Sequence, residues 1–243
     1  MSVLHGVGVG PGDPDLITLK AARLIEAADV VAYPQADDEP SMARRIAAAH
    51  LGRQREEPIC VPMRGERHPA ARVYDEAAAR LGAHLDVGRS VVVLCEGDPL
   101  FYGSFMYLHA RMAGRWDVRV VPGVSSVMAA ASAVGRPLAA RDDALTVIPG
   151  TLPDAEIERH LTGSDAAAII KLGRHLPRVS ALLDRLGLAP GTAYCERVGL
   201  PAQRLAMLPD LEGPAPYFSL LLVYRGAEAW VADLPAPETG ARA

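Results

Sequence analysis

Ser90-Val91-Val92-Val93-Leu94-Cys95-Glu96-Gly97-Asp98-Pro99 decides the fold class. Ser90–Cys95 is a near-continuous apolar run of strand length, the pattern of a strand buried on both faces of a parallel sheet. Pro99 cannot continue a central strand, and it biases Asp98 toward an extended conformation at the strand's end. Outward from this run, short β-rich stretches alternate with alanine-rich helical ones. Val3–Val9 reads as a strand that ends in the turn Gly10-Pro11-Gly12-Asp13-Pro14. Ile17, Ala21, Leu24, Ile25 and Ala28 then recur at helical spacing, with Thr18 as N-cap. Val30–Tyr33 reads as a second strand stopped by Pro34, Ser41 as the cap of a helix through Ala49, and Ala70–Leu85 as a further helix. Phe105–Arg111 (helix), Val118–Val121 (strand) and Ser125–Val134 (helix) follow. The βαβα order predicts an α/β domain with a mainly parallel sheet.

Gly135 to Asp143 has turn and charge composition without apolar period, which places a domain boundary there: residues 1–140, then 141–234. The second half reads as strand Leu145–Ile148, helix Pro153–Leu161, strand Ala167–Lys171, helix Pro177–Leu186, and strands Ala193–Val198 and Tyr217–Tyr224. Two final strands without an intervening helix predict a mixed sheet. Residues 235–243, with Pro235, Pro237 and Gly240, are expected to fray.

The 243 residues are half apolar, with mean hydropathy +0.12, enough for two modest cores in a soluble chain. No apolar run approaches the roughly 18 residues of a membrane span. The start, Met1 to Gly6, lacks a basic region, so no signal peptide is expected. Cys60, Cys95 and Cys195 are too scattered for a disulfide framework or a CxxC metal pair and favour a reducing cytoplasm. No two of the histidines His5, His50, His68, His84, His109, His160 and His175 form an HxxxH or HxH pair, so no metal is expected. A net charge of −4 argues against a general nucleic-acid binder. Lys20 and Lys171 are the only lysines among 25 basic residues. That arginine excess fits either a substrate with several carboxylates or codon bias. Arg44, Arg45, Arg53, Arg55, Arg64, Arg67 and Arg72 cluster after the second strand, readable as a solvated face or as a carboxylate clamp.

Three loops follow strands of the first domain and emerge at the carboxyl edge, where open α/β sheets bind ligands. Gly6-Val7-Gly8-Val9-Gly10-Pro11-Gly12-Asp13-Pro14 lets the backbone turn tightly and approach a ligand, but it fits GxGxxG in no register, and GxxxxGK[ST] is absent from the chain. Glu96-Gly97-Asp98-Pro99-Leu100-Phe101-Tyr102-Gly103-Ser104 sets the Asp98 carboxylate at the strand's end. There it suits a ligand ammonium, sulfonium or ribose hydroxyl, or else an Asx-turn. Pro122-Gly123-Val124-Ser125-Ser126 leads into a helix; its serines can cap that helix, and the free N–H groups can hold a carboxylate.

In this order and at these intervals, GxGPGDP, a strand followed by GDP, and PGxSS before a helix resemble the tetrapyrrole methylases, over Val3 to about Tyr224. The resemblance implies two α/β domains enclosing S-adenosylmethionine, released as S-adenosylhomocysteine. Leu94–Leu108, Val121–Ala130 and Ile170-Lys171-Leu172-Gly173-Arg174 are similar to the members that methylate precorrin-2 at carbon 20 in cobalamin biosynthesis. A cobalt-containing precorrin-2 or another tetrapyrrole carbon is the near alternative, and a dinucleotide-binding module the distant one.

Carried over by the resemblance, Pro11 would sit beside the cofactor. Gly97, Asp98 and Phe101 would border its methionine portion and ribose, and Ser125 and Ser126 would lie under it. Leu172 and the strand around Val198 would embrace the adenine; other members have Met and Gly in the corresponding places, and this sequence departs at both. Glu96, Asp98 and Tyr102 are the candidates for a catalytic base, and the sequence does not choose among them. The resemblance also implies a homodimer.

Overall fold

The computed structural model describes residues 2–36, 40–61, 67–211, 215–226 and 228–232. The chain divides into two compact units, Met1–Ser125 and Ser126–Ala243. The first runs β1 (Val3–Gly8), α1 (Leu19–Ala27), β2 (Val30–Ala36), α2 (Met42–Ile46), β3 (Arg55–Val61), α3 (Arg67–Asp86), β4 (Val91–Cys95), α4 (Phe105–Met112) and β5 (Asp117–Val121). Its five strands lie in the order β3-β2-β4-β1-β5, all parallel.

The apolar run of β4 is buried throughout because it serves two cores. Val91, Val93 and Cys95 face α3 and α4, packing with Leu81, Phe105 and Leu108. Val92 and Leu94 face the other side, with Ile25 of α1 and Ile46 of α2. Thr18 caps α1 as expected, its Oγ1 accepting the Ala21 N–H at 3.1 Å, and Ser41 caps α2 by accepting from Arg44 N. Pro34 does not stop β2. Beyond Ala32 the strand pairs with β3 and no longer with β4, and a missing N–H is tolerated where one side has no partner.

The second unit runs α5 (Ser126–Val134), β6 (Leu145–Pro149), α6 (Asp154–Thr162), β7 (Ala166–Ile170), α7 (Leu176–Arg185), β8 (Ala193–Glu196), β9 (Arg204–Met207), β10 (Ser219–Tyr224) and α8 (Ala229–Ala232). Its sheet has the order β6-β7-β10-β8-β9. β6 and β7 are parallel, while β10 is antiparallel to both β7 and β8, which gives the expected mixed sheet. One face carries Ile157 and Leu161 of α6 and Val179, Leu182 and Leu183 of α7. The division falls earlier than the expected 140/141 boundary because α5 packs on β8 and β10 and so belongs with the second sheet. Residues 235–243 lie outside the described ones. Among the described residues, no helix is long and apolar enough to cross a membrane.

Candidate functional site

The order β3-β2-β4-β1-β5 builds a switch point at the carboxyl edge. The chain leaves β1 toward β2, on the far side of β4, and leaves β4 toward β5, on the far side of β1. Loops that depart in opposite directions open a crevice outside adjacent strand ends, the position ligands take in open α/β sheets.

Three glycines fix the floor of that crevice. A Cβ on Gly8 would stand 2.5 Å from the Gly97 carbonyl oxygen and 2.7 Å from the Gly123 Cα, and one on Gly123 would stand 2.8 Å from the Gly8 Cα. The neighbours are backbone, which cannot swing aside, so only glycine allows β1, β4 and β5 to end this close together. The first two loops also pair directly. Gly97 N donates to Gly10 O at 2.8 Å and Val9 N to Cys95 O at 2.9 Å, with Gly10 and Gly97 both at positive φ.

Asp98 ties the second loop to the third. Its Oδ1 accepts the Leu100 N–H at 2.9 Å, an Asx-turn, and its Oδ2 accepts the Gly123 N–H at 3.1 Å. Both readings of Asp98 are therefore open at once, since a carboxylate has about four lone-pair sites and these bonds take two. Phe101 and Tyr102 follow on the same loop, their rings edge to face with centroids 5.2 Å apart.

Glu96 sits immediately past β4, and its Oε1 accepts the Ala43 N–H at 3.2 Å, holding the first turn of α2. Burial pushes its carboxyl above the ordinary range, against the lowering effect of backbone N–H groups. Neighbouring Cys95 is pushed well up by burial, aided by the charges of Glu96 and Asp98, which makes it a core thiol rather than a nucleophile.

The first unit thus brings Gly97, Asp98, Phe101, Ser125 and the turn at Pro11 to one edge through three interlocked loops. Ser125 is buried directly before α5, and Ser126 opens that helix. Leu172 and Val198 lie in the second unit, just past β7 and β8, whose ends share an edge because both strands oppose β10. The Leu172 side chain is fully buried in that unit's core, and its carbonyl accepts from His175 N at 2.7 Å.

Three of the clustered arginines are already paired with carboxylates. Arg44 binds Glu56 with two nitrogens, at 2.5 and 2.8 Å, while Tyr33 donates to the same carboxylate at 2.7 Å. Arg55 pairs with Glu57 and Arg72 with Glu76. Residue 64 lies outside the described residues, and the Arg67 side chain is not described. Sequence reasoning missed β3, whose Glu56 binds Arg44 and whose Glu57 binds Arg55; the acidic pair directly after Arg55 was the available signal. Among the described residues, no group of three His, Cys, Asp or Glu side chains is placed to hold a metal ion.

A two-unit α/β chain whose first sheet closes its carboxyl edge with three glycine-linked loops has the organisation implied by GxGPGDP, GDP and PGxSS. The family profile described as Tetrapyrrole (Corrin/Porphyrin) Methylases matches residues 3–211, and the chain belongs to that family. It is 46% identical over 233 residues to the cobalamin biosynthesis protein CobIJ of Mycobacterium tuberculosis, covering 92% of this chain and 46% of that one. The chain therefore spans about half the length of that curated relative. It is 40% identical to the precorrin-2 C(20)-methyltransferase of a Sinorhizobium species, over 90% of this chain and 94% of that enzyme. Among solved structures, the uroporphyrin-III C-methyl transferase from Thermus thermophilus complexed with S-adenyl homocysteine aligns at TM-score 0.68 and 27% identity, over 95% of this chain and all of that one.

Proposed function

We propose that the chain is an S-adenosylmethionine-dependent C-methyltransferase that converts precorrin-2 to precorrin-3A by methylation at carbon 20, in the cytoplasm and as a homodimer. The observation that carries the reading is the three-loop interlock at Gly8, Gly97 and Gly123. It makes a floor of backbone without side chains, on which a large folded cofactor can lie, with the Asp98 carboxylate beside it. Similarity to a precorrin-2 C(20)-methyltransferase along 94% of that enzyme supports the substrate.

The cofactor supplies a methyl group on a sulfonium that is already its own leaving group. The chain's part is to bind and orient. Gly97 and Asp98 border the methionine portion and ribose, Asp98 accepting from the ligand while it keeps its two backbone donors. Pro11 and Phe101 flank the ligand, and Ser125 and Ser126 lie under it. Leu172 and Val198 are the second unit's proposed contacts. Such positioning contributes on the order of 7–11 kcal/mol when the reacting atoms are held in line. We assign no base, because Asp98 is engaged by two N–H groups and Glu96 holds α2.

Calorimetry gives the first test: S-adenosylhomocysteine binds, and NAD and ATP do not. Mass spectrometry of precorrin-2 incubated with enzyme and labelled cofactor gives the second, with cobalt-precorrin-2 in parallel. Label appearing only in the cobalt form moves the assignment to that substrate, and label in neither refutes it. Light scattering at the monomer mass of 25.8 kDa at micromolar concentration refutes the dimer.

A further inference from the structure

Four described non-glycine residues adopt positive φ: Tyr102, Arg141, Lys171 and Arg197. Tyr102, at φ 57°, is the aromatic one, and the left-handed region is uncommon for a bulky side chain. The loop imposes the conformation. From Asp98 the chain turns back so tightly that a Cβ on Gly103 would lie 2.6 Å from the Pro99 carbonyl oxygen and 2.9 Å from that of Asp98. A glycine at position 102 would satisfy the same turn without strain, yet the chain places there a tyrosine that is 42% exposed. Phe101 braces its ring at an interplanar angle of 87°. Leu100 and Met106, close by in the chain, are exposed as well. Persistent strain in an exposed side chain at the mouth of a site points to a role for the side chain.

We propose that Tyr102 is a positioning residue that presents its ring face to the conjugated macrocycle of the methyl acceptor, selecting a flat tetrapyrrole and setting its distance from the donor. The proposal rests on the methyltransferase reading. The occupant follows from place and chemistry. The ring stands four residues past Asp98, on the same loop as the cofactor floor and against Phe101, the cofactor's proposed neighbour. An exposed aromatic face recognises a planar π-system through stacking. The phenolic hydroxyl has no part in this role, which separates it from proton transfer by the same residue.

The test compares Tyr102→Phe and Tyr102→Gly with the wild type in methyl transfer from labelled S-adenosylmethionine to precorrin-2. S-adenosylhomocysteine affinity and Tm are measured alongside. Tyr102→Phe is expected to keep kcat and KM within about twofold. Tyr102→Gly is expected to raise the tetrapyrrole KM about fivefold to tenfold, in the upper part of the range for loss of one aromatic contact, with S-adenosylhomocysteine affinity unchanged. Its Tm stays level or rises, because the glycine relieves the backbone. Equal damage from both variants assigns the work to the hydroxyl and overturns stacking. A kinetically silent Tyr102→Gly overturns the proposal while leaving the methyltransferase in place, and so does a loss of S-adenosylhomocysteine affinity. A wild-type protein that transfers no label to any tetrapyrrole overturns the function, and the proposal with it.

Discussion

Replacing Asp98 by alanine removes a side chain that links the second loop to the third. Two backbone donors lose their acceptor: Leu100 N at 2.9 Å and Gly123 N at 3.1 Å. Hydrogen bonds to a charged group contribute about 1.5–3 kcal/mol each, and both sites keep some contact with water, so the pair is set at about 2–3 kcal/mol in total. For a chain of this size each kcal/mol moves Tm by about 2–4 °C, which gives a drop of roughly 4–12 °C. Ligand binding loses a charge-assisted acceptor as well, at least about tenfold in affinity on the same scale. Asp98→Asn keeps one acceptor oxygen but turns an amide toward one of the two donors, so it is expected between alanine and wild type in both readouts. Scanning calorimetry reads the first quantity and titration with S-adenosylhomocysteine the second. An alanine variant that loses Tm but keeps its affinity reduces Asp98 to a turn former. One that keeps both refutes the interlock as a source of stability.

Glu96 gives a pH signature. Its folded-state pKa is raised by burial, so its contribution to stability is fully present below the ordinary glutamate range and is lost as pH rises through the folded value. Glu96→Gln, whose amide oxygen still accepts from Ala43, should therefore raise Tm at pH 7–8, with the advantage vanishing near pH 4; an advantage that grows on acidification contradicts this. Gly8→Ala drives a Cβ into backbone on two neighbouring loops and should cost about 3 kcal/mol, the upper end for overpacking; unchanged stability by urea unfolding would mean the loops can part. Cys60 is exposed, whereas Cys95 and Cys195 are buried, with the Cys195 thiol pushed up to about 12 by burial. A thiol reagent should therefore label one cysteine per native chain and three after denaturation, and rapid native labelling at Cys95 or Cys195 would contradict the packing.

The strands that serve two cores were legible because burial on both faces leaves an unbroken apolar run, as in Val91–Cys95. β3 was not. Arg55-Glu56-Glu57-Pro58 carries the charges and proline of an edge strand, and only pairing with β2 makes it one. The four-residue β9 was missed for a similar reason, being short and opened by exposed Arg204. Each site loop was legible as a turn, from GPGDP, GDP and PGxSS. Their mutual contact was not, since Gly8 meets Gly123 across more than a hundred residues and no local pattern encodes that approach. The arginine cluster shows the converse failure: composition exposed the cations, and the carboxylate that occupies Arg44 arrives from β3.

The contact of Gly8 with Gly97 and Gly123 also limits how such a chain can be rebuilt. Loops at a sheet edge are ordinarily the parts most freely exchanged among relatives, but these three share one set of backbone surfaces. A graft that imports a relative's second loop alone meets two hosts shaped for a different carbonyl path. Chimeras that transplant all three segments together should fold, and single-loop chimeras should fail, so the unit of inheritance for this edge is the triplet rather than the loop.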